Sequence, residues 1–206
     1  MTITATVTPA PRRSLTTVER YRAVMPDPGA PDAKIEALIG QTSAAVERFC
    51  ARVFARERVI EELEGRHGIP ALERTPVVEL HAVTVDSKPA ELVAFTIADP
   101  AGGIVEGGRS DRWYTGLRSL RPGPAATYRV DYTGGYLMPD QPGSTLPLEL
   151  EEACHVLVQA ELARQGRPFG LVSQRLGDYA TSFANPQLLG WDRVRPVLER
   201  HRRLAL

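Results

Sequence analysis

Between residues 74 and 86 the chain reads Arg-Thr-Pro-Val-Val-Glu-Leu-His-Ala-Val-Thr-Val-Asp. Apolar and polar positions alternate, and β-branched residues dominate. The pattern predicts a strand over Val77–Val85. The blocks on either side follow a helical period. Ile35, Leu38, Ile39, Val46, Phe49, Cys50 and Val53 recur at helical spacing, with Thr42 on the same stripe, and Glu36, Glu47, Arg48 and Arg52 lie off it. This predicts a helix over 32–53, capped by Asp32. Leu150, Ala153, Cys154, Leu157, Val158 and Leu162 form a second stripe, opened by Pro147 at the first helical position and closed by Gly166. Thr16-x-x-Glu19 has the form of a capping box and opens a short helix over 17–25, which Pro26-Asp-Pro-Gly29 ends. A last helix carries Val194, Val197, Leu198 and Leu204, with Asp192 as its cap and a turn at Asn185-Pro186 before it. Residues 172–183 read as extended around Gly177.

Shorter alternating runs at 58–64, 91–97, 104–106 and 127–133 add strands separated by Gly/Pro turns, as in an antiparallel meander or small sandwich. Residues 107–124 form a long polar loop holding Trp113 and Tyr114 beside Arg109, Arg112 and Arg118. The first 13 residues are rich in Thr, Pro and Ala and are expected to be disordered in isolation. The predicted fold is α+β: a small bundle of about four helices carrying an inserted antiparallel β-rich region. The expected organisation is a flexible 1–14, a helical core from 15–56 and 145–206, and a β insertion at 57–136.

Composition then narrows the function classes. Formal net charge is zero, whereas a protein that grips nucleic acid usually carries a basic excess. Of 25 basic residues only Lys34 and Lys88 are lysines, a bias that either a GC-rich genome or selection for interface arginines would produce. Cys50 and Cys154 sit on apolar faces and are expected to be buried, reduced thiols. No charged segment followed by an apolar one opens the chain, and no run approaches the ~18 apolar residues of a membrane span. The expectation is a soluble protein made in the cytoplasm.

No catalytic or metal signature emerges. Gly102-Gly103 and Gly107-Gly108 are turn glycines, since no phosphate-loop pattern surrounds them. His67, His81, His155 and His201 lack metal-ligand spacing. Cys154 and His155 are helix neighbours, so their side chains diverge and do not pair as nucleophile and base. Glu61-Glu62 and Glu151-Glu152 read as solvated charge pairs. The end of the chain is richer. Trp191 opens a run with Arg193, Arg195, Arg200, Arg202, Arg203 and Leu204 against Asp192 and Glu199. Cations suit the C-terminal end of a helix. Trp and Arg are also the residue types enriched at interface hot spots, so the run is a candidate docking arm, separable from the bundle. Arg109, Arg112, Trp113 and Tyr114 are a candidate subunit contact.

In order, Leu15-Thr-Thr-Val-Glu-Arg-Tyr21, the helix over 32–53, Arg74-Thr-Pro-Val-Val78, Val83-Thr-Val-Asp86, Tyr128-Arg-Val-Asp-Tyr-Thr-Gly-Gly-Tyr136, Leu146-Pro-Leu-Glu-Leu-Glu-Glu-Ala153, Arg175-Leu-Gly-Asp-Tyr179 and the basic last helix resemble the head–tail connector, or portal adaptor, proteins of long-tailed phages and phage-like gene transfer particles. The resemblance spans about 15–205 and lies in the order of the pieces. It implies a non-enzymatic virion protein without cofactor or metal, one that forms a ring, usually twelve-fold, under the portal. Portal would bind one side, a stopper or tail-completion protein the other, and DNA would pass through the lumen without specific binding. The alternatives are a small ligand- or glycan-binding β module on a helical stalk, which would need an aromatic groove around Trp113 and Tyr114, and an enzyme, which the missing constellation disfavours.

Overall fold

The computed structural model describes residues 2–25, 29–65, 69–107, 126–165, 173–176, 179–182 and 186–203. It divides into two compact units, one from Met1–Pro11 with Val53–Leu137 and one from Arg12–Arg52 with Met138–Leu206.

The first unit is β-rich. Its strands are β1 (Thr2–Thr8), β2 (Glu57–Gly65), β3 (Val77–Val85), β4 (Lys88–Ala90), β5 (Phe95–Asp99), β6 (Ile104–Gly107) and β7 (Ala126–Gly134). Five of them form one antiparallel sheet in the order β1-β2-β7-β3-β4, and β5 pairs with β6 in a hairpin. This is not the meander expected from the sequence, because β7 returns to lie between β2 and β3. The physical reason is apolarity. Tyr128, Val130 and Tyr132 alternate along β7 and are buried, so it occupies the centre, paired on both sides. Val59, Leu63, Val77, Val83, Phe95 and Val105 complete the core around it.

Asp86 and Ser87 both have positive φ, at 48° and 65°, as a two-residue type I′ hairpin turn requires. They return the chain as β4. The single strand expected at 91–97 is therefore split into a 3-10 turn at Leu92–Ala94 followed by β5. Gly135 has φ +103° and sits against Ala55, where an added Cβ would stand 2.5 Å from the carbonyl oxygen. The expectation of a flexible 1–14 is also corrected. Thr2–Thr8 pair with β2 as an edge strand, with register shifts between Ile3 and Ala5 and between Thr6 and Thr8. Alternating β-branched residues have high strand propensity even in a Thr/Pro-rich context.

The second unit is helical, with α1 (Val18–Val24), α2 (Asp32–Cys50), α3 (Leu148–Gln165) and α4 (Pro186–His201), plus a hairpin of β8 (Ser173–Leu176) and β9 (Tyr179–Ser182). The cap of α1 is Thr17, whose hydroxyl accepts from the Arg20 amide at 3.3 Å. Thr16 does not cap, because its side chain is buried elsewhere. Asp32 is the first residue of α2 rather than its cap, a position held by Pro31. Its carboxylate instead pairs with Arg22 at 2.6 Å. Ala51, in the left-handed conformation at φ 52°, ends α2 three residues earlier than the apolar pattern suggested. Asp192 lies inside α4, which starts at Pro186, where a missing N–H is tolerated. Ile35, Leu38, Ile39, Val46, Leu150, Cys154, Leu157, Val158, Val194 and Leu198 are buried.

Candidate functional site

Two buried polar clusters stand out, one in each unit. On β2 the two-residue period places Glu57, Val59, Glu61 and Leu63 on the buried face. Glu57 meets Arg74 at 3.2 Å. Glu61 Oε2 accepts from the Tyr132 hydroxyl at 2.7 Å and from the Glu73 amide at 2.9 Å. The Tyr132 oxygen accepts from the Arg74 amide at 2.8 Å. Glu61 is thus not the solvated charge expected from the sequence.

Glu151 is buried too, which corrects the second expected charge pair. It lies four residues before His155, so both occupy one face of α3. Arg20 donates Nε and Nη2 to its two oxygens at 2.5 and 2.6 Å, and Thr16 donates to Oε1 at 2.9 Å. Thr16 Oγ1 is also 2.8 Å from His155 Nε2, and the Tyr21 ring meets His155 edge-on at 5.7 Å. Burial pushes Glu151 toward protonation, but the hydrogen bonds from Arg20 and Thr16 outweigh it and hold the carboxyl below its ordinary range. Burial lowers His155, against the opposing pull of Glu151. A hydroxyl next to an imidazole resembles a nucleophile and its base. Thr16, Glu151 and His155 are, however, all at most 4% exposed. Their arrangement ties α1 to α3.

Cys50 and Cys154 are free and buried. Burial pushes both thiols up to about 11, far from the thiolate a nucleophile needs. Cys154 Sγ lies 3.2 Å from the Thr42 hydroxyl. Among the described residues no three His, Cys, Asp or Glu side chains gather as a metal site, and no helix is long and apolar enough to cross a membrane.

The helical unit carries an accessible groove. A groove of about 230 Å³ is lined by Gln41, Thr42, Ala45, Leu157, Ala160, Glu161 and Trp191. Trp191 is half-buried and packs on Phe49, with ring centroids 5.8 Å apart. The Arg202 guanidinium lies 5.9 Å over the opposite partner of that pair, the Phe49 ring. The structure thus brings Trp191 and Arg202 together through Phe49, a residue the sequence reading assigned only to the helix stripe. Arg193, Arg195 and Arg200 are exposed on α4. Arg195 pairs with Glu199 at 2.9 Å and Arg200 with Glu149 at 3.7 Å. The Arg203 amide donates to the Cys50 carbonyl at 2.9 Å.

The basic run is therefore not a separable arm. Val194 and Leu198 are buried at 4% and 0%, and α4 packs on α2 and α3. Leu204, and Arg109, Arg112, Trp113 and Tyr114, lie outside the described residues.

No family model matches the chain, and no curated protein matches it. Solved structures do. A chain from the neck of an empty gene transfer agent particle, computed with C6 symmetry, superposes with a TM-score of 0.55 at 19% identity and covers 100% of this chain and 97% of its own. A chain from the neck of a native gene transfer agent particle, computed with C12 symmetry, gives 0.53 at 18% identity, with the same coverage. A chain from the virion of the native particle gives 0.54 at 18% identity, covering 98% and 96%. The protein has the fold of these particle chains over both its β-rich and its helical unit.

Proposed function

We propose that this protein is a structural, non-enzymatic component of the neck of a phage-like gene transfer particle, and that it serves there as the ring-forming adaptor between the portal and the stopper or tail-completion protein. The observation that carries the reading is the end-to-end likeness to chains of gene transfer agent necks, which spans both units and covers 100% of this chain and 97% of those chains. The cyclic symmetry of those necks supports a ring, twelve-fold in this reading. A zero net charge suits a lumen through which DNA passes, because tight phosphate binding would hinder exit. The buried state of the Thr16–His155–Glu151 cluster and of both thiols accords with a structural role.

In this reading the exposed face of α4, with Arg193, Arg195 and Arg200, and the neighbouring Trp191, Phe49 and Arg202 cluster meet the portal. Arg109, Arg112, Trp113 and Tyr114 contribute to the contact between ring subunits. Electron microscopy of particles carrying a tagged copy tests the assignment. The tag is expected as a ring at the neck, and density in the capsid shell or tail tube would rule the adaptor out.

A further inference from the structure

The hydrogen-bond chain at His155 runs in one direction. Glu151, held ionised by the two bonds from Arg20, can only accept. The single Thr16 hydrogen therefore goes to Glu151 Oε1, and the Thr16 oxygen is left to accept from His155 Nε2 at 2.8 Å. Nε2 must then carry the imidazole hydrogen, and Nδ1 is a bare acceptor. Nδ1 is buried and has no hydrogen-bond partner among the described residues. A further proton has one place to go, Nδ1, where it creates a charge and an unpaired donor in the interior, both costly. Glu151 and Glu152 of α3 draw that proton and Arg20 of α1 repels it, and among the described residues α2 and α4 add no charge that acts on it.

The cover over this ring is slight. Thr16 and the Tyr21 ring lie against it. Tyr21 is the one buried residue of α1, which is seven residues long, and Leu15 just before it is the other buried apolar side chain of the segment. So short a helix does not persist without its tertiary contacts. Polar bonds supply most of the attachment: Thr16 and Arg20 to Glu151, and the Leu15 amide to Ser43 Oγ at 3.0 Å. By contrast, α3 packs on α2 and α4, with Leu150, Cys154, Leu157 and Val158 buried. A charged imidazole reaches water at least cost by lifting residues 15–25 away. Parting α3 from α2 or α4 would expose the apolar core.

We infer that residues 15–25 are an acid-released strap: a proton arriving at His155 Nδ1 frees this segment from α3 while α2, α3 and α4 stay packed together. The switch is a local opening, distinct from unfolding of the helical unit. It does not rest on the neck assignment.

Hydrogen exchange of the full chain at pH 7.5 and pH 5.5, corrected for the intrinsic effect of pH on the amides, tests it. At both values residues 15–25 are expected to exchange faster than the buried stretches of α2 and α3, through an opening of their own. On acidification their opening is expected to grow by up to about tenfold, the limit set by one linked proton over the unit below the ordinary histidine value of 6.5. His155→Gln keeps a donor for Thr16 and removes the titrating nitrogen, so its strap is expected to open equally at both pH values. A second measurement needs no variant: nitrogen NMR of the wild type at pH 7.5 should show His155 protonated at Nε2 and bare at Nδ1. Protection of residues 15–25 equal to that of α2 and α3 would mean that the segment opens only with the whole unit, and overturns the inference. So does strap exchange that is unchanged by pH in the wild type, or a neutral imidazole whose hydrogen sits on Nδ1.

Discussion

Tyr132 donates its phenolic hydrogen to Glu61 Oε2 across 2.7 Å, and both residues are fully buried. They come from β7 and β2, adjacent strands at the centre and flank of the sheet. Burial, reinforced by the Glu61 charge, pushes the phenol far above its usual range, so it stays a donor. The Arg74 amide in turn donates to the Tyr132 oxygen. A buried carboxylate thus fixes how the segment before β3 lies on the sheet.

Replacing Tyr132 by Phe keeps the ring and removes the hydroxyl. Glu61 then loses a donor and the Arg74 amide an acceptor, both in the interior. Leaving such groups unsatisfied is expected to cost about 3 kcal/mol. Urea denaturation measures it, and a double-mutant cycle with Glu61→Gln should show strong coupling. A loss below about 1 kcal/mol would mean that the hydroxyl is not needed to hold the carboxylate.

The cluster around His155 makes stability depend on pH. The folded state holds His155 below its ordinary value of 6.5, so the unfolded chain binds this proton first. Stability is then lost as pH falls below about 6.5, down to the lowered folded value. Glu151, held below 4.5 by Arg20 and Thr16 after burial is outweighed, adds stability that is present above 4.5 and lost as pH falls through its folded value. The groups acting on His155 are Thr16, Arg20, Tyr21, Glu151 and Glu152. Chemical denaturation at pH 7.5 and pH 5.5 should show a drop in the wild type, and His155→Gln should shrink that drop. Equal pH dependence in both proteins would assign it to other groups.

How much of this was legible depended on period. The alternation at 77–85 gave β3 its observed bounds, and the helical stripes gave the buried faces of α2 and α3. Read as a charge, a Glu predicts solvent; read by its position in the period, it predicts burial. Parity along β2 puts Glu57 and Glu61 with Val59 and Leu63, and the four-residue step puts Glu151 with His155. Both signals were in the chain. The insertion of β7 between β2 and β3 was not, since strand order is set by long-range pairing that local pattern does not encode. The α4 start was hidden by Asp192, a good cap residue that here falls inside a helix begun at Pro186. The apolar spacing of the last run marks Val194 and Leu198, but spacing alone does not show that they seat the run in the bundle.

That seating gives a third prediction. Leu198 is fully buried and its carbonyl accepts from Cys50 Sγ at 3.6 Å. Leu198→Ala opens a cavity and is expected to cost about 2–5 kcal/mol. Deleting residues 191–206 removes Val194 and Leu198 together and should abolish cooperative unfolding of the helical unit. Calorimetry reads both. A truncated chain that melts like the full one would restore the separable arm.

The exposed face of the same helix should behave in the opposite way. Arg193 and Arg195 point away from the buried Val194 and Leu198 positions and are exposed. The one ion pair at stake, Arg195 with Glu199, is 64% and 50% exposed, and a solvent-exposed pair contributes only about 0–1 kcal/mol. Reversing both charges, Arg193→Glu with Arg195→Glu, should therefore leave the unfolding midpoint nearly unchanged. If the protein is the proposed ring adaptor, the effect on assembly should be large, because the same small electrostatic loss would be repeated in every copy around the ring and multiply through avidity. Filled heads from cells expressing the double variant are expected to lack the protein and to remain tailless or leak DNA. Rim charges act chiefly on association and its salt dependence, so wild-type attachment should weaken as salt is raised and attachment of the single variants should depend on salt less. If the double variant folds normally and still joins filled heads as the wild type does, the portal contact lies on another face and the arginines of α4 serve only the end of the helix.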